Sequence, residues 1–257
     1  MVAKVQKISI FDKMKRILSR FLLYQYLLMV LLFFALLFPF FYFLSRKQTS
    51  YPHFNVVRKM WVLFSSAFSG IFYKFEFKRE IDWSRTYIIC PNHASNLDVN
   101  AMTLMVQNNF FFLGKEELLS NPIMRLFFNT IDIPINRNSK IASYRAFKKV
   151  EQRLMSGMSL IIFPEGKIGD DYPPILHDFK NGPFKLAIAL KIPILPVSIK
   201  NNWKIFWDDG YKYGCKPGVS HICIHDVVET MDFHPEDEEK LKKIVYDKIA
   251  SGLEYKL

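Results

Sequence analysis

From Phe21 to Leu44 the chain reads FLLYQYLLMVLLFFALLFPFFYFL, a run without one charged side chain. Wound as a helix it extends about 36 Å at 1.5 Å per residue, more than the roughly 30 Å of a bilayer's hydrocarbon core. A soluble domain built from the rest of the chain has too little interior to cover such a helix on every side. The run is also too long and too aromatic for a secretory signal core, and no small-residue cleavage site follows it. It is therefore read as a retained membrane anchor. Lys13, Lys15, Arg16 and Arg20 precede it and Arg46, Lys47, Arg58 and Lys59 follow it, so the distribution of basic residues picks no side. Two arrangements are open. In the first, a second apolar stretch from Met60 to Tyr73 folds back against a run kinked at Pro39, and both enter from the cytoplasmic face. In the other, one spanning helix is followed by an amphipathic linker. On this reading residues 1–76 are a basic arm and anchor, and 77–257 are a catalytic domain.

Beyond the anchor, apolar runs alternate with helix-periodic segments, which predicts an α/β domain with a mixed, largely parallel sheet flanked by helices. The expected strands are Thr86 to Cys90, Phe110 to Leu113, Ile131 to Ile135, Ser159 to Phe163, Ile194 to Ile199 and His221 to Val227. Lys140 to Ser156 reads as a helix capped by Ser139, with Ile141, Tyr144, Phe147, Val150 and Leu154 on one face. A last helix begins at Pro235 and carries Leu241, Ile244, Val245 and Ile249 at helical spacing. No internal repeat or low-complexity linker divides this part.

The chemistry concentrates at Cys90-Pro91-Asn92-His93-Ala94-Ser95-Asn96-Leu97-Asp98. Pro91 ends an apolar strand, Ser95 or Asn96 caps a helix starting near Leu97, and α/β folds place their sites at such strand exits. A neutral imidazole at His93 takes a proton near pH 7, and a carboxylate at Asp98 fixes its tautomer and stabilises the imidazolium. No hydrolase nucleophile motif accompanies the pair, so the attacking group belongs to the substrate.

Asn92, His93 and Asp98, as N-H-x4-D, resemble the first motif of the glycerolipid acyltransferases, and best that of the 1-acylglycerol-3-phosphate acyltransferase family. Further matches follow in order. Gly114-Lys115-Glu116-Glu117-Leu118 with Pro122, then Ile133-Pro134-Ile135-Asn136-Arg137, resemble the second motif. Phe163-Pro164-Glu165-Gly166 resembles the third and Ile192-Pro193-Ile194-Leu195-Pro196-Val197 the fourth, with Phe179-Lys180-Asn181-Gly182 between them. The resemblance implies a membrane-bound enzyme of phospholipid biosynthesis, with His93 and Asp98 catalytic. It moves an acyl chain from acyl-coenzyme A or acyl carrier protein to the hydroxyl of lysophosphatidate, giving phosphatidate. It also implies a substrate site drawn from Asn92, Lys115, Arg137, Glu165, Gly166, Lys167, Lys180 and Pro196. A lysine point charge and an arginine fork at Lys115 and Arg137 suit a phosphate, and Glu165 organises its loop or the acceptor.

The third motif departs from the family pattern, because Ile168 stands where an arginine is expected. Either Lys167, Lys180 or Lys185 supplies the missing charge, or the acceptor is another lysolipid, such as a lyso-aminolipid. Arg125 in the second motif, where a glycine is common, is either an added anion contact or a surface residue. A membrane-bound lipid or thioester hydrolase and a non-catalytic lipid-binding protein are the readings from other classes.

The formal net charge of +11 suits thioester donors and anionic lipid heads alike. The positives are dispersed and no nucleic-acid motif is present, so no nucleic acid is expected. Three cysteines make no disulfide framework, consistent with a reducing cytoplasmic side. His221, Cys223 and His225 share a strand face in ligand-like fashion, with Cys215 or Asp226 as a fourth, but the spacing matches no standard zinc motif. No metal or cofactor is expected.

Overall fold

The computed structural model describes residues 10–207 and 213–253. Helix α1 runs from Ile10 to Leu44 with Pro39 inside it. After a short 3-10 turn, α2 spans Tyr51–Ala67. The partners of the two helices run in opposite sequence order: Gln25 Nε2 donates to Phe68 O at 3.1 Å, Trp61 Nε1 donates to Val30 O at 2.9 Å, and Phe41 meets Phe54 at 5.2 Å between ring centroids. They therefore form an antiparallel hairpin.

Next come β1 (Ile71–Phe77), β2 (Ile88–Pro91), α3 (Leu97–Met105), β3 (Phe110–Lys115), α4 (Pro122–Phe128) and β4 (Ile133–Ile135). Then follow α5 (Lys140–Met155), β5 (Ser159–Ile161), α6 (Gly182–Leu190), β6 (Ile194–Ile199), α7 (Asn202–Ile205), β7 (Gly218–Ile224) and α8 (Glu238–Ser251). Seven strands form one sheet in the order β1-β7-β6-β2-β5-β3-β4. All neighbours are parallel except β6 with β7, so the sheet is mixed and largely parallel, as expected. Strands β2, β5 and β6 are buried throughout, which is why they read as unbroken apolar runs rather than alternating ones. Alternate residues face opposite layers. Ile88, Phe111 and Leu160 enter the core shared with α5, α6 and α8, while Ile89, Phe112 and Ile161 enter the one shared with α3.

Four expectations change. The stretch Met60 to Tyr73 is not one apolar segment: it ends α2, turns at Gly70 (φ +70°) and begins β1. Only a residue without a Cβ adopts that turn cheaply. The division drawn at 76/77 therefore cuts β1, and α2 contributes Phe54, Trp61 and Val62 to the same core as the sheet. Arg58, counted as a charge flanking the anchor, is buried and paired with Asp132 at 2.7 Å. In α5, Ile141 and Tyr144 are exposed and the buried stripe is Ala146, Val150 and Leu154. Ser139 caps it as predicted, accepting from Ala142 N.

His221, Cys223 and His225 do not converge. His221 is exposed, Cys223 is buried, and His225 lies beyond β7 with Nε2 2.7 Å from Ser198 Oγ. Among the described residues no group of three His, Cys, Asp or Glu side chains gathers as a metal site. Ser198 Oγ donates to Ile249 O at 2.7 Å, so the imidazole proton sits on Nε2 and the serine, on β6, joins His225 to the end of α8. Burial pushes the His225 imidazole down from 6.5 to about 4. The folded protein thus resists a proton that the unfolded chain accepts below pH 6.5, and stability falls as pH drops from 6.5 toward 4. Urea midpoints measured across that window should decline in the wild type and decline less in His225→Gln; equal slopes would remove His225 from the account.

Candidate active site

The strands β2, β5, β3 and β4 are mutually parallel, so their C-terminal ends share one edge of the sheet. His93 follows β2, Lys115 ends β3, Arg137 follows β4 and Glu165 follows β5.

The turn carrying His93 is held by backbone hydrogen bonds. Asp98, fully buried in the first turn of α3, accepts through Oδ2 from His93 Nδ1 at 3.1 Å and from the amides of Ala94 and Ser95 at 2.8 Å. Its Oδ1 accepts from Asn202 Nδ2 at 2.9 Å. With Nδ1 donating to the carboxylate, the lone pair of His93 resides on Nε2. The ring stacks on Phe163 with centroids 3.8 Å apart.

Glu165 is buried behind this turn. Its Oε1 accepts from His93 N at 2.6 Å and its Oε2 from His177 N at 2.9 Å. Burial raises its carboxyl to about 7 despite both amides, and the neighbouring Asp98 charge adds to the rise.

Two cavities meet at His93's side of the sheet. The larger, about 590 Å³, is walled by Tyr26, Leu27 and Val30 of α1, Trp61 and Val62 of α2, Val99 and Asn100 of α3, and Met124, Phe127 and Phe128 of α4. His93 and Phe163 open into it. The smaller, about 400 Å³, is lined by Lys115, Arg137, Glu165, Gly166, Lys167, His177, Asp178 and Lys180. Lys115, Arg137, Gly166 and Lys167 belong to both. Among the described residues none of Lys115, Arg137, Lys167 and Lys180 is ion-paired. Four unpaired cations outnumber the two carboxylates, Glu165 and Asp178, in this lining, and the excess of positive charge makes it an anion site. Gly166 has φ +80°, and a Cβ there would lie 2.8 Å from Arg137 Nη1, which donates to Gly166 O. The glycine is needed for both its backbone and its close approach.

Most candidate residues converge here, with two corrections. Asn92 is fully buried and lines neither cavity; its Nδ2 donates to Ile199 O at 3.1 Å and its Oδ1 accepts from Ile199 N at 2.7 Å, tying the end of β2 to that of β6. Pro196 is buried within β6 opposite Cys90 and also lines neither cavity. Of the residues offered to replace the missing arginine, Lys167 and Lys180 line the cationic cavity, whereas Lys185 pairs with Glu238 at 3.6 Å. Ile168 lines the apolar cavity and not the cationic one. Arg125 lines neither, and its Nε donates to Leu119 O.

Several site residues had no signal in the sequence. Asn202 reaches Asp98 from 104 positions away, and Tyr26, Leu27 and Val30 of α1 wall the cavity from within what reads as pure anchor. Phe163 had a signal: an aromatic at a strand exit, two residues before Glu165.

A family model described as Acyltransferase matches residues 73–200. An uncharacterized acyltransferase of Schizosaccharomyces pombe is 26% identical over 136 residues, covering 52% of this chain and 49% of that protein. The 1-acyl-sn-glycerol-3-phosphate acyltransferase of Borreliella burgdorferi is 27% identical over 172 residues, covering 65% of this chain and 66% of that protein. The chain thus spans about half to two thirds of the length of the curated relatives it matches. The crystal structure of the 1-acyl-sn-glycerophosphate acyltransferase PlsC from Thermotoga maritima aligns with a TM-score of 0.70 at 23% identity, over 88% of this chain and 93% of that one. That likeness shows a shared fold.

Proposed function

The chain belongs to the acyltransferase family, and from that premise we propose that it transfers a fatty acyl chain from an acyl thioester to the free hydroxyl of lysophosphatidate, yielding phosphatidate. The observation that carries this reading is the placement of the His93–Asp98 pair where an apolar cavity joins a cationic one. A fatty acyl chain fits the first, and a phosphate fits the second.

In the proposed reaction His93 Nε2 takes the proton of the acceptor hydroxyl. The oxygen attacks the thioester carbonyl, a tetrahedral oxyanion forms, and it collapses by expelling the thiolate, which takes the proton from the imidazolium. Asp98 holds the ring and stabilises its charged form. No enzyme nucleophile is needed, and none of the three cysteines lines either cavity. The donor is acyl-coenzyme A or acyl carrier protein. Lys115, Arg137, Lys167 and Lys180 take the acceptor's phosphate.

Membrane attachment follows from α1, the one described helix long and apolar enough to cross a bilayer by length and composition. It lies against the rest of the protein from Ser19, whose carbonyl accepts from Cys215 N, to the fully buried Phe41. Its other face exposes Ile17, Phe21, Tyr24, Leu28 and Leu31 at steps of three and four residues. A helix held against the domain from Ser19 to Phe41 cannot cross the bilayer without carrying the elements it packs on into it. We therefore read α1 and the outer face of α2 as lying in the membrane surface, with the catalytic domain on the cytoplasmic side.

Ile168 favours a second reading, the same transfer to a phosphate-free lysolipid, because it gives the position of the usual arginine to the apolar wall. The decisive test is acyl transfer by the detergent-solubilised protein, offered labelled acyl-coenzyme A or acyl carrier protein with lysophosphatidate and with a lyso-aminolipid. Phosphatidate as the dominant product supports the main reading. Preference for the lyso-aminolipid replaces it with the second, and free fatty acid without acylated lipid replaces both with a hydrolase.

A further inference from the structure

Glu165 joins two parts of the site that must act together. One oxygen holds the backbone of the residue that carries the base, and the other holds His177 in the wall of the cationic cavity. As a carboxylate it satisfies both amides. As a carboxylic acid it keeps one strong acceptor and gains a donor. Because Glu165 lines the same cavity as the four cations, a phosphate bound there meets a buried carboxylate directly, a like-charge contact of the kind that drives proton uptake.

We propose that Glu165 is a proton-linked positioning residue: binding of the acceptor's phosphate takes one proton from solvent onto its Oε2, the new O–H donates to a phosphate oxygen, and Oε1 keeps the amide of His93. The freed His177 N–H turns to the same anion. Atoms and charge balance, since one proton enters with the phosphate and leaves with the product. The inference rests on the proposed phosphate acceptor.

The groups around Glu165 decide whether this linkage is its own. From the turn before α3 comes His93, from the first turn of α3 comes Asp98, and from the ends of β3 and β4 come Lys115 and Arg137. Its own segment adds Lys167, His177, Asp178 and Lys180. Tyr246 of α8 faces it too, its phenol raised first by burial and then by the Asp178 and Glu165 charges. Only a comparison that changes Glu165 and leaves these in place isolates it. With its carboxyl raised to about 7 by burial, the free protein is mostly protonated at Glu165 at pH 6 and mostly ionised at pH 8. Uptake by this group is therefore small at pH 6 and approaches one proton at pH 8, where acceptor affinity should fall toward tenfold per pH unit.

The experiment is titration calorimetry of the full chain in detergent with lysophosphatidate, at pH 6, 7 and 8, in pairs of buffers of different ionisation enthalpy. Wild type and Glu165→Gln are compared, so that the phosphate's own proton cancels. Glutamine keeps Oε1 for His93 and offers a permanent donor to the anion. The expected result is close to one extra proton taken up by the wild type at pH 8, and little difference at pH 6. Equal uptake by the two proteins overturns the inference and leaves the phosphate acceptor standing. Absence of binding by a folded wild type overturns both. Should Glu165→Gln fail to fold, the infrared difference spectrum of the wild type on adding lysophosphatidate at pH 8 serves instead: a new carboxylic-acid C=O band supports the proposal, and its absence ends it.

Discussion

His93→Ala is expected to lower acyl transfer by about 100- to 10,000-fold, the usual contribution of a positioned base, with the melting temperature nearly unchanged. Among the described residues the side chain donates only to Asp98 and stacks on Phe163, so its loss leaves the turn in place. Asp98 is different, because the same carboxylate holds the amides of Ala94 and Ser95. Asp98→Ala should therefore lose both activity and fold, with each orphaned amide costing about 1–3 kcal/mol. Asp98→Asn separates the two effects. Its carboxamide oxygen can keep the three contacts of Oδ2, while Asn202, whose Oδ1 is buried without a partner, can turn to receive the new NH₂. This variant should stay folded and still transfer slowly, since a neutral amide does not stabilise the imidazolium. Parallel measurement of kcat and thermal unfolding checks the set. Full activity in His93→Ala would remove the base from the mechanism, and wild-type kcat in Asp98→Asn would reduce Asp98 to a brace.

What the sequence made legible was local. The buried strands are apolar over their whole length, so Ile194 to Ile199 could be delimited to the residue, and the strand exits then named His93, Lys115, Arg137 and Glu165. Long-range partners carried no such mark. Asn92 lies beside His93 in the motif and reads as a ligand, yet its amide is used on Ile199, a pairing that exists only once β2 and β6 are neighbours. Strand β1 was missed because IFYKFEF follows an apolar run without a break in hydropathy. It forms the edge of the sheet, where Phe72 and Phe77 stay exposed. The alternation after Gly70 was the available signal.

Arg58→Met is expected to destabilise the protein by about 3–5 kcal/mol, the range for removing one partner of a buried ion pair. Arg58 and Asp132 are both buried, with Asp132 Oδ1 also accepting from Phe112 N at 2.9 Å. The guanidinium lies 4.6 Å from the centre of the Phe127 ring, with the rings of Phe54, Phe110 and Phe112 around it. Burial pushes the Asp132 carboxyl up, and Arg58 is the largest influence holding it down. Without Arg58 the carboxyl rises further. A group whose folded pKa is raised loses its stabilising share as pH climbs through that value, so the deficit of the variant should be large at pH 8 and shrink as the solution is acidified. Arg58→Met with Asp132→Asn removes the stranded charge and keeps an acceptor for Phe112, and should recover much of the loss. Denaturant unfolding of the four proteins in detergent, at pH 5 and pH 8, gives the coupling directly; an additive pair of single effects with no pH dependence would deny it. Because Arg58 sits on α2 and Asp132 just before β4, a single transition that moves with Arg58 means that anchor and sheet unfold together. That is the behaviour expected of a helix that walls the apolar cavity as well as facing lipid.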